Sequence, residues 1–203
     1  MKIFAVGRNY AEHAKELGNS VPTEPIIFMK PETAVLKNNA PFYYPYFSQN
    51  IHFEVELLIK ISKEGKNITP RFAHKYFSEI GIGIDFTARD LQDKAKANGL
   101  PWDIAKGFNG SAPMSDFLPL SSIADVNNID FGISLNGVQM QKGNSNQMIF
   151  DFSHLVAYIS KFFTLKKGDV IFTGTPAGVG AVAVGDVLEA FLENNKMLVC
   201  EVK

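Results

Sequence analysis

The stretch His52-Phe53-Glu54-Val55-Glu56-Leu57-Leu58-Ile59 constrains this chain more than any other. Phe53, Val55, Leu57 and Ile59 alternate with other residues, which is the period of a half-buried strand. Successive side chains on a strand point to opposite faces. Glu54 and Glu56 therefore share a face, with Cα atoms roughly 7 Å apart. Two carboxylates this close resist joint ionisation unless a cation lies between them. A solvated strand face carries the same pattern, so the pair takes its meaning from what the rest of the chain brings to it.

A second strand reads from Glu79 to Asp85. Ile80, Ile82 and Ile84 face one way; Gly81, Gly83 and Asp85 face the other. Two glycines on one face fit a close approach, either of an ion or substrate beside Asp85 or of backbone from another sheet. Thr87 then caps a helix running to about Asn98, with Asp90 completing a capping-box-like pattern and Gly99 and Pro101 ending it. The start of that helix, directly after Asp85, favours an anionic ligand. Arg89 and Gln92, three apart, suit a carboxylate or carbonyl, or else a solvated face. Lys106 sits within Trp102 to Phe108, where burial is costly without a partner. A carboxylate cluster would be that partner.

At the start of the chain, residues 2–6 read as a strand. Asn9 is placed to cap a helix from Tyr10 to Leu17, with Gly18 at its C′ position. His13 and Glu16 share a face of it. A carboxylate beside an imidazole orients it and raises its basicity, as a general base requires; a plain surface pair has the same spacing. Residues 19–25 read as a mobile loop, which puts this helix on a segment able to open and close.

A strand over 26–29 ends at Lys30-Pro31, and the aromatic, proline-containing stretch 32–50 reads as a packed loop with short strands. A short helix is expected over 71–77, a hairpin over 130–142 about Asn136-Gly137, and a helix from Ser153 to Phe163 with Leu155, Ile159 and Phe162 on one stripe. The strand 170–173 enters Gly174 to Gly180, which is neither a Walker A loop nor a dinucleotide fingerprint. Its backbone N–H groups and two Thr hydroxyls suit an oxyanion. Strands over 187–192 and 197–202 close the chain.

The chain has 203 residues and a net charge of −1, so no broad attraction to nucleic acid or anionic membrane is expected. Cys200 is the single cysteine, which excludes an internal disulfide and fits a reducing compartment. Met1 to Val6 is too short for a signal peptide, and no apolar run is long enough to span a bilayer. The expected location is the cytoplasm. Seventeen Phe residues imply a large aromatic core or an apolar interface. With no repeat or linker, one domain over residues 1–203 is expected.

Six blocks stand in order: Gly7-Arg8-Asn9-Tyr10 with His13 and Glu16; Phe28 to Pro31; His52 to Leu57; Asp85 to Gln92; Leu100-Pro101-Trp102 with Ala105-Lys106; and Thr173 to Gly180. Together they resemble the fumarylacetoacetate hydrolase superfamily. The likeness is nearest to its short members, the acylpyruvases, oxaloacetate decarboxylases and hydroxyheptadienedioate isomerases. The resemblance implies an α+β, mainly β fold, a mixed β-sandwich roll with peripheral helices, and a homodimer. It implies that the chain begins directly at the catalytic region, without the extra N-terminal domain of the longer hydrolases. It implies a divalent cation, Mg²⁺ or Mn²⁺ with Ca²⁺ as a substitute, held by Glu54, Glu56 and Asp85. Three hard oxygen ligands agree with that choice. It assigns substrate contacts to Arg8, Tyr10, Arg89, Gln92 and Thr175, and catalysis to Lys106 and a water-activating His13–Glu16 dyad. The implied substrates are small 2-oxo acids: an acylpyruvate cleaved by water, or oxaloacetate losing CO₂ through the same enolate. An isomerase or tautomerase reaction needs no water attack and is the rival on this scaffold. A metal-binding protein without activity is the reading from another class, and the retained dyad and Lys106 argue against it.

Overall fold

The computed structural model describes residues 1–18 and 20–203; of the loop expected over 19–25, Asn19 lies outside the described residues. Val55, Leu57 and Ile59 are buried, and so are Glu56 and Leu58 on the opposite face. Val55–Ile61 is therefore a central strand, covered on both sides, rather than the half-buried one that its alternation predicts. It pairs antiparallel with Val170–Phe172 on one edge and with Phe77–Ile84 on the other. The largest sheet runs in the order Ile26–Lys30, Ile3–Gly7, Val170–Phe172, Val55–Ile61, Phe77–Ile84 and Leu118–Pro119. It is mixed, because Ile3–Gly7 runs parallel to Val170–Phe172.

A second sheet has the order Val138–Asn144, Asp130–Leu135, Val187–Leu192 and Asn195–Glu201. Its hairpin turns at Asn136 and Gly137, both with positive φ (51° and 80°), as an Asn-Gly turn requires. One apolar cluster joins Leu57, Ile59, Ile80 and Ile82 of the large sheet to Phe131, Ile133, Leu188 and Ala190 of the second, so the two sheets form a sandwich. Phe42 stacks on Phe86 in the same cluster, with ring centroids 4.0 Å apart. Burying each such side chain contributes about 1.5–3 kcal/mol. A smaller cluster with Ile3, Leu58 and Phe172 covers the other face. The helices are α1 (Ala11–Glu16), α2 (Pro70–Ala73), α3 (Arg89–Ala97), α4 (Asp103–Lys106) and α5 (Phe152–Phe162). The fold is mainly β with short helices, as expected. No helix among the described residues is long and apolar enough to cross a membrane.

Several local expectations give way to tertiary partners. Asn9 does not cap α1; Tyr10 takes that position without a side-chain bond. The Asn9 carboxamide instead donates to Phe150 O (3.0 Å) and Thr173 O (2.8 Å) and accepts from Phe150 N (2.8 Å). Thr87 does not cap α3. Thr87–Ala88 pairs with Ile51 and His52 as a strand, and Asp90 accepts from Ser48 Oγ and Gln49 N. Asp151, not Ser153, caps α5, accepting from His154 N at 2.7 Å. Phe162 is exposed at the end of α5, off the buried stripe of Leu155 and Ile159. The helix expected over 71–77 stops at Ala73, because Phe77 already begins a strand. Gly81 and Gly83 make room for packing and not for an ion. A Cβ at Gly83 would lie 2.9 Å from the Phe172 ring and from Pro113 O.

Candidate metal centre and substrate cleft

The expected strand 52–61 is broken at Glu54. Ile51–Phe53 and Val55–Ile61 belong to different sheets, and Glu54 occupies the step between them. Its carbonyl accepts from Asp85 N at 2.8 Å, which fixes the step to the end of Phe77–Ile84. The carboxylates of Glu54, Glu56 and Asp85 converge there, with one oxygen from each within 4.8 Å of the others, and all three are buried.

Three buried cations surround them. Lys106 Nζ lies 2.8 Å from Glu54 Oε2, 2.7 Å from Asp85 Oδ2 and 2.6 Å from Thr87 Oγ1. Arg89 reaches Glu54 Oε1 at 2.5 Å and Gln92 Oε1 at 2.7 Å. Lys30 Nζ lies 2.7 Å from Asp85 Oδ1 and donates to Ser111 O, Ser111 Oγ and Lys106 O. The sequence reading gives Lys30 and Thr87 no place in the site. A signal for Lys30 exists: strand alternation puts it on the same face as Phe28, which lines the cleft.

Burial alone would raise the Glu54 carboxyl, but Lys106 and Arg89 overcome it and hold Glu54 well below the usual carboxylate range. Burial alone would lower Lys106; the charges of Asp85 and Glu54 raise it instead, so it stays protonated. Burial pulls Lys30 down, against the attraction of Asp85. Glu56 differs, because it forms no ion pair among the described residues. Gly174 N donates to it at 2.6 Å. Burial, then the charges of Asp85 and Glu54, push its carboxyl well above the ordinary 4.5.

A divalent cation fits this observation. It would supply Glu56 with the charge partner that the chain does not. Carboxylate oxygens accept more than one bond, so the ion-paired oxygens of Glu54 and Asp85 keep ligating capacity. The all-oxygen donor set suits Mg²⁺, Mn²⁺ or Ca²⁺. A consequence for pH follows from linkage. A carboxyl raised in the folded state binds more protons folded than unfolded, so metal-free stability falls as pH climbs from about 4.5 through the raised value. Added Mn²⁺ is therefore expected to raise the melting temperature more at pH 8 than at pH 5.5. Glu56→Gln is expected to flatten that dependence, and thermal denaturation with and without Mn²⁺ measures both.

The remaining residues ring a cleft lined by Arg8, His13, Arg89, Gln92 and Thr175, with Phe28 and Trp102 on one wall. His13 Nδ1 lies 3.2 Å from Glu16 Oε2. A carboxylate oxygen accepts this bond, so the neutral ring tautomer that fits it carries its proton on Nδ1 and leaves Nε2 a lone pair. Glu16 Oε1 accepts from Gly178 N at 3.0 Å. Helix α1 is thus pinned at its start through Asn9 and latched at its end to the glycine-rich loop. Gly178 has φ +98°, and a Cβ there would collide with Met140 O, so only glycine offers this N–H. The loop differs from the free oxyanion cradle that the sequence suggests, because Gly174 N and Gly178 N hold Glu56 and Glu16. The start of α3 is also engaged: Arg89 N donates to Asn50 O and Leu91 N to Asp90 Oδ1. Tyr10 is buried edge-on against Phe131 at 6.0 Å, where burial and then the charge of Glu56 push its hydroxyl above the usual range.

The profile of the family "Fumarylacetoacetate (FAA) hydrolase C-terminal" matches residues 2–203. The chain is 49% identical over 189 residues to the mitochondrial oxaloacetate decarboxylase of Dictyostelium discoideum, covering 93% of this chain and 87% of that one. It is 42% identical over 197 residues to an oxaloacetate tautomerase of Escherichia coli, covering 97% and 90%. The fumarylpyruvate hydrolase of Pseudomonas aeruginosa, solved in complex with Mn²⁺ and pyruvate, superposes with a TM-score of 0.95 at 35% identity, covering 100% of this chain and 89% of that one.

Proposed function

The chain belongs to the fumarylacetoacetate hydrolase family, and from that premise we propose that it is a divalent-metal-dependent hydrolase or decarboxylase of small 2-oxo acids. The observation that carries the reading is the buried Glu54–Glu56–Asp85 cluster beneath the His13–Glu16 dyad. The cation, when bound, polarises the oxygens of the oxo acid and favours its enolate.

The chain's own residues do the rest. Lys106 gives one hydrogen bond each to Glu54, Asp85 and Thr87, which uses its three donors. It therefore keeps the ligands ionised and aimed, and meets substrate only if one of those bonds is exchanged. Arg8, Arg89, Gln92 and Thr175 offer donors to the acid's carboxylate. His13 Nε2 takes a proton from a water that attacks the distal carbonyl of an acylpyruvate, and Glu16 steadies the resulting imidazolium. Oxaloacetate releases CO₂ without that attack. Charge supports the substrate class. The three buried carboxylates and three buried cations cancel, so a bound divalent ion leaves a positive site that suits the carboxylate and enolate oxygens of a 2-oxo acid.

The name of the Escherichia coli relative, an oxaloacetate tautomerase, supports a second reading. In it His13 moves a proton between carbon and oxygen of the acid and no water is consumed. The proposal treats residues 1–203 as one catalytic unit. A homodimer and a location in the cytoplasm or an equivalent reducing compartment belong to the same proposal.

The test is a panel of acetylpyruvate, fumarylpyruvate and oxaloacetate, each with Mn²⁺ or Mg²⁺ and with chelator. Metal-dependent turnover of at least one acid is expected. Metal-loaded protein that leaves all three unchanged would contradict the reading.

A further inference from the structure

The hairpin strand Val138–Asn144 buries a polar side chain at its middle. Val138 and Met140 are exposed, whereas Gln141 is 0% exposed. A polar side chain that takes the place of an apolar one on a buried face is where a functional constraint is expected.

The Gln141 carboxamide joins two parts of the site. Its Oε1 accepts from Val55 N at 2.9 Å, the amide between Glu54 and Glu56. Its Nε2 donates to Thr175 Oγ1 at 2.8 Å and to Pro176 O at 2.7 Å. The orientation is fixed. A backbone N–H only donates and a backbone carbonyl only accepts, so a flipped amide would meet two repulsive contacts. The strand is also pressed onto the glycine-rich loop along its length. A Cβ at Gly143 would lie 2.9 Å from the Pro176 ring, and Met140 O closes over Gly178.

This fixes the Thr175 hydroxyl. Its oxygen already receives a hydrogen from Gln141. Thr175 makes no other side-chain hydrogen bond among the described residues, and it lines the cleft. The one proton of the hydroxyl is thus left for whatever occupies the cleft.

We propose that Gln141 is a positioning residue that makes Thr175 a donor toward the carboxylate of the bound 2-oxo acid and holds that donor in register with the Glu54–Glu56 pair. The identity of the acid rests on the proposed function. Without the carboxamide, nothing fixes the direction of the Thr175 proton, and the cleft loses an oriented donor.

The test uses Mn²⁺ and pyruvate as probes, by calorimetric titration of the full chain. Gln141→Leu is expected to weaken pyruvate binding to the Mn²⁺-loaded protein about tenfold, the scale of one hydrogen bond to a charged group, with Mn²⁺ affinity held within about threefold. In a Thr175→Val background the same change is expected to alter pyruvate affinity less than about twofold, because the group it acts through is gone. Equal losses in both backgrounds, or a parallel fall in Mn²⁺ affinity, would overturn the inference in favour of a general structural role. If Gln141→Leu does not fold, Gln141→Glu keeps the acceptor for Val55 but offers Thr175 an acceptor in place of a donor. Pyruvate affinity equal to wild type in that variant also overturns the inference. Wild-type protein that binds neither Mn²⁺ nor pyruvate removes the proposed function and this inference together; normal wild-type binding with unaffected Gln141 variants removes the inference alone.

Discussion

Asp85→Asn is expected to abolish tight divalent-cation binding and to cost the metal-free protein about 3–5 kcal/mol, the scale for breaking a buried ion pair. The sequence alone leads to a different expectation, weaker metal binding with the fold left intact. The structure adds the loss of stability. Both oxygens of Asp85 hold buried ammonium groups, Lys30 on Oδ1 and Lys106 on Oδ2, each at 2.7 Å. Asparagine leaves Lys106 with Glu54 as its ion-paired carboxylate and Lys30 with none among the described residues. Lys30 also ties the backbone of Lys106 and Ser111 to this point, so disturbance reaches α4. Urea denaturation of the metal-free variant gives the stability and a Mn²⁺ titration gives the affinity. A metal-free variant as stable as wild type would show that the lysines do not depend on Asp85.

His13→Ala is expected to reduce acylpyruvate hydrolysis by about 10²–10⁴-fold, the usual contribution of a general base. Oxaloacetate decarboxylation is expected to fall much less, because no water attacks. The motivating geometry is the Glu16 carboxylate on Nδ1, which leaves Nε2 basic on the cleft side, and the Gly178 latch on Glu16, which holds α1 over the cluster. Both rates are measured on one preparation at saturating metal. Equal losses would make His13 a residue that positions substrate or closes α1, and no loss in either would return the pair to an ordinary helical contact.

What the sequence shows of the site depends on the range of the forces involved. Strand alternation brings Glu54 and Glu56 into view because like charges on one face need an explanation; Asp85 enters from the glycine-bearing face of its own strand, and the three carboxylates converge. Lys106 is legible for the same reason, a cation set among apolar residues. Local capping rules fail at Asn9 and Thr87, because both side chains serve partners remote in sequence, Phe150 and Thr173 for one and Lys106 for the other. The break at Glu54 follows from pairing with two different sheets, which no local pattern encodes. Gln141 stays hidden because a polar residue within an amphipathic strand looks solvated until the opposing layer is known.

The most direct test is a Mn²⁺ titration of wild type and Glu56→Gln at pH 8, each with a parallel melting curve of the metal-free protein. Glu56 is the informative ligand because it holds no buried cation, so its loss strands no charge. A glutamine oxygen can still accept from Gly174 N. Expected are one Mn²⁺ per wild-type chain, an affinity at least about tenfold weaker in the variant, and a metal-free variant at least as stable as wild type. Wild-type protein that takes up no Mn²⁺, or a variant that binds it equally well, would contradict a metal centre at Glu54, Glu56 and Asp85.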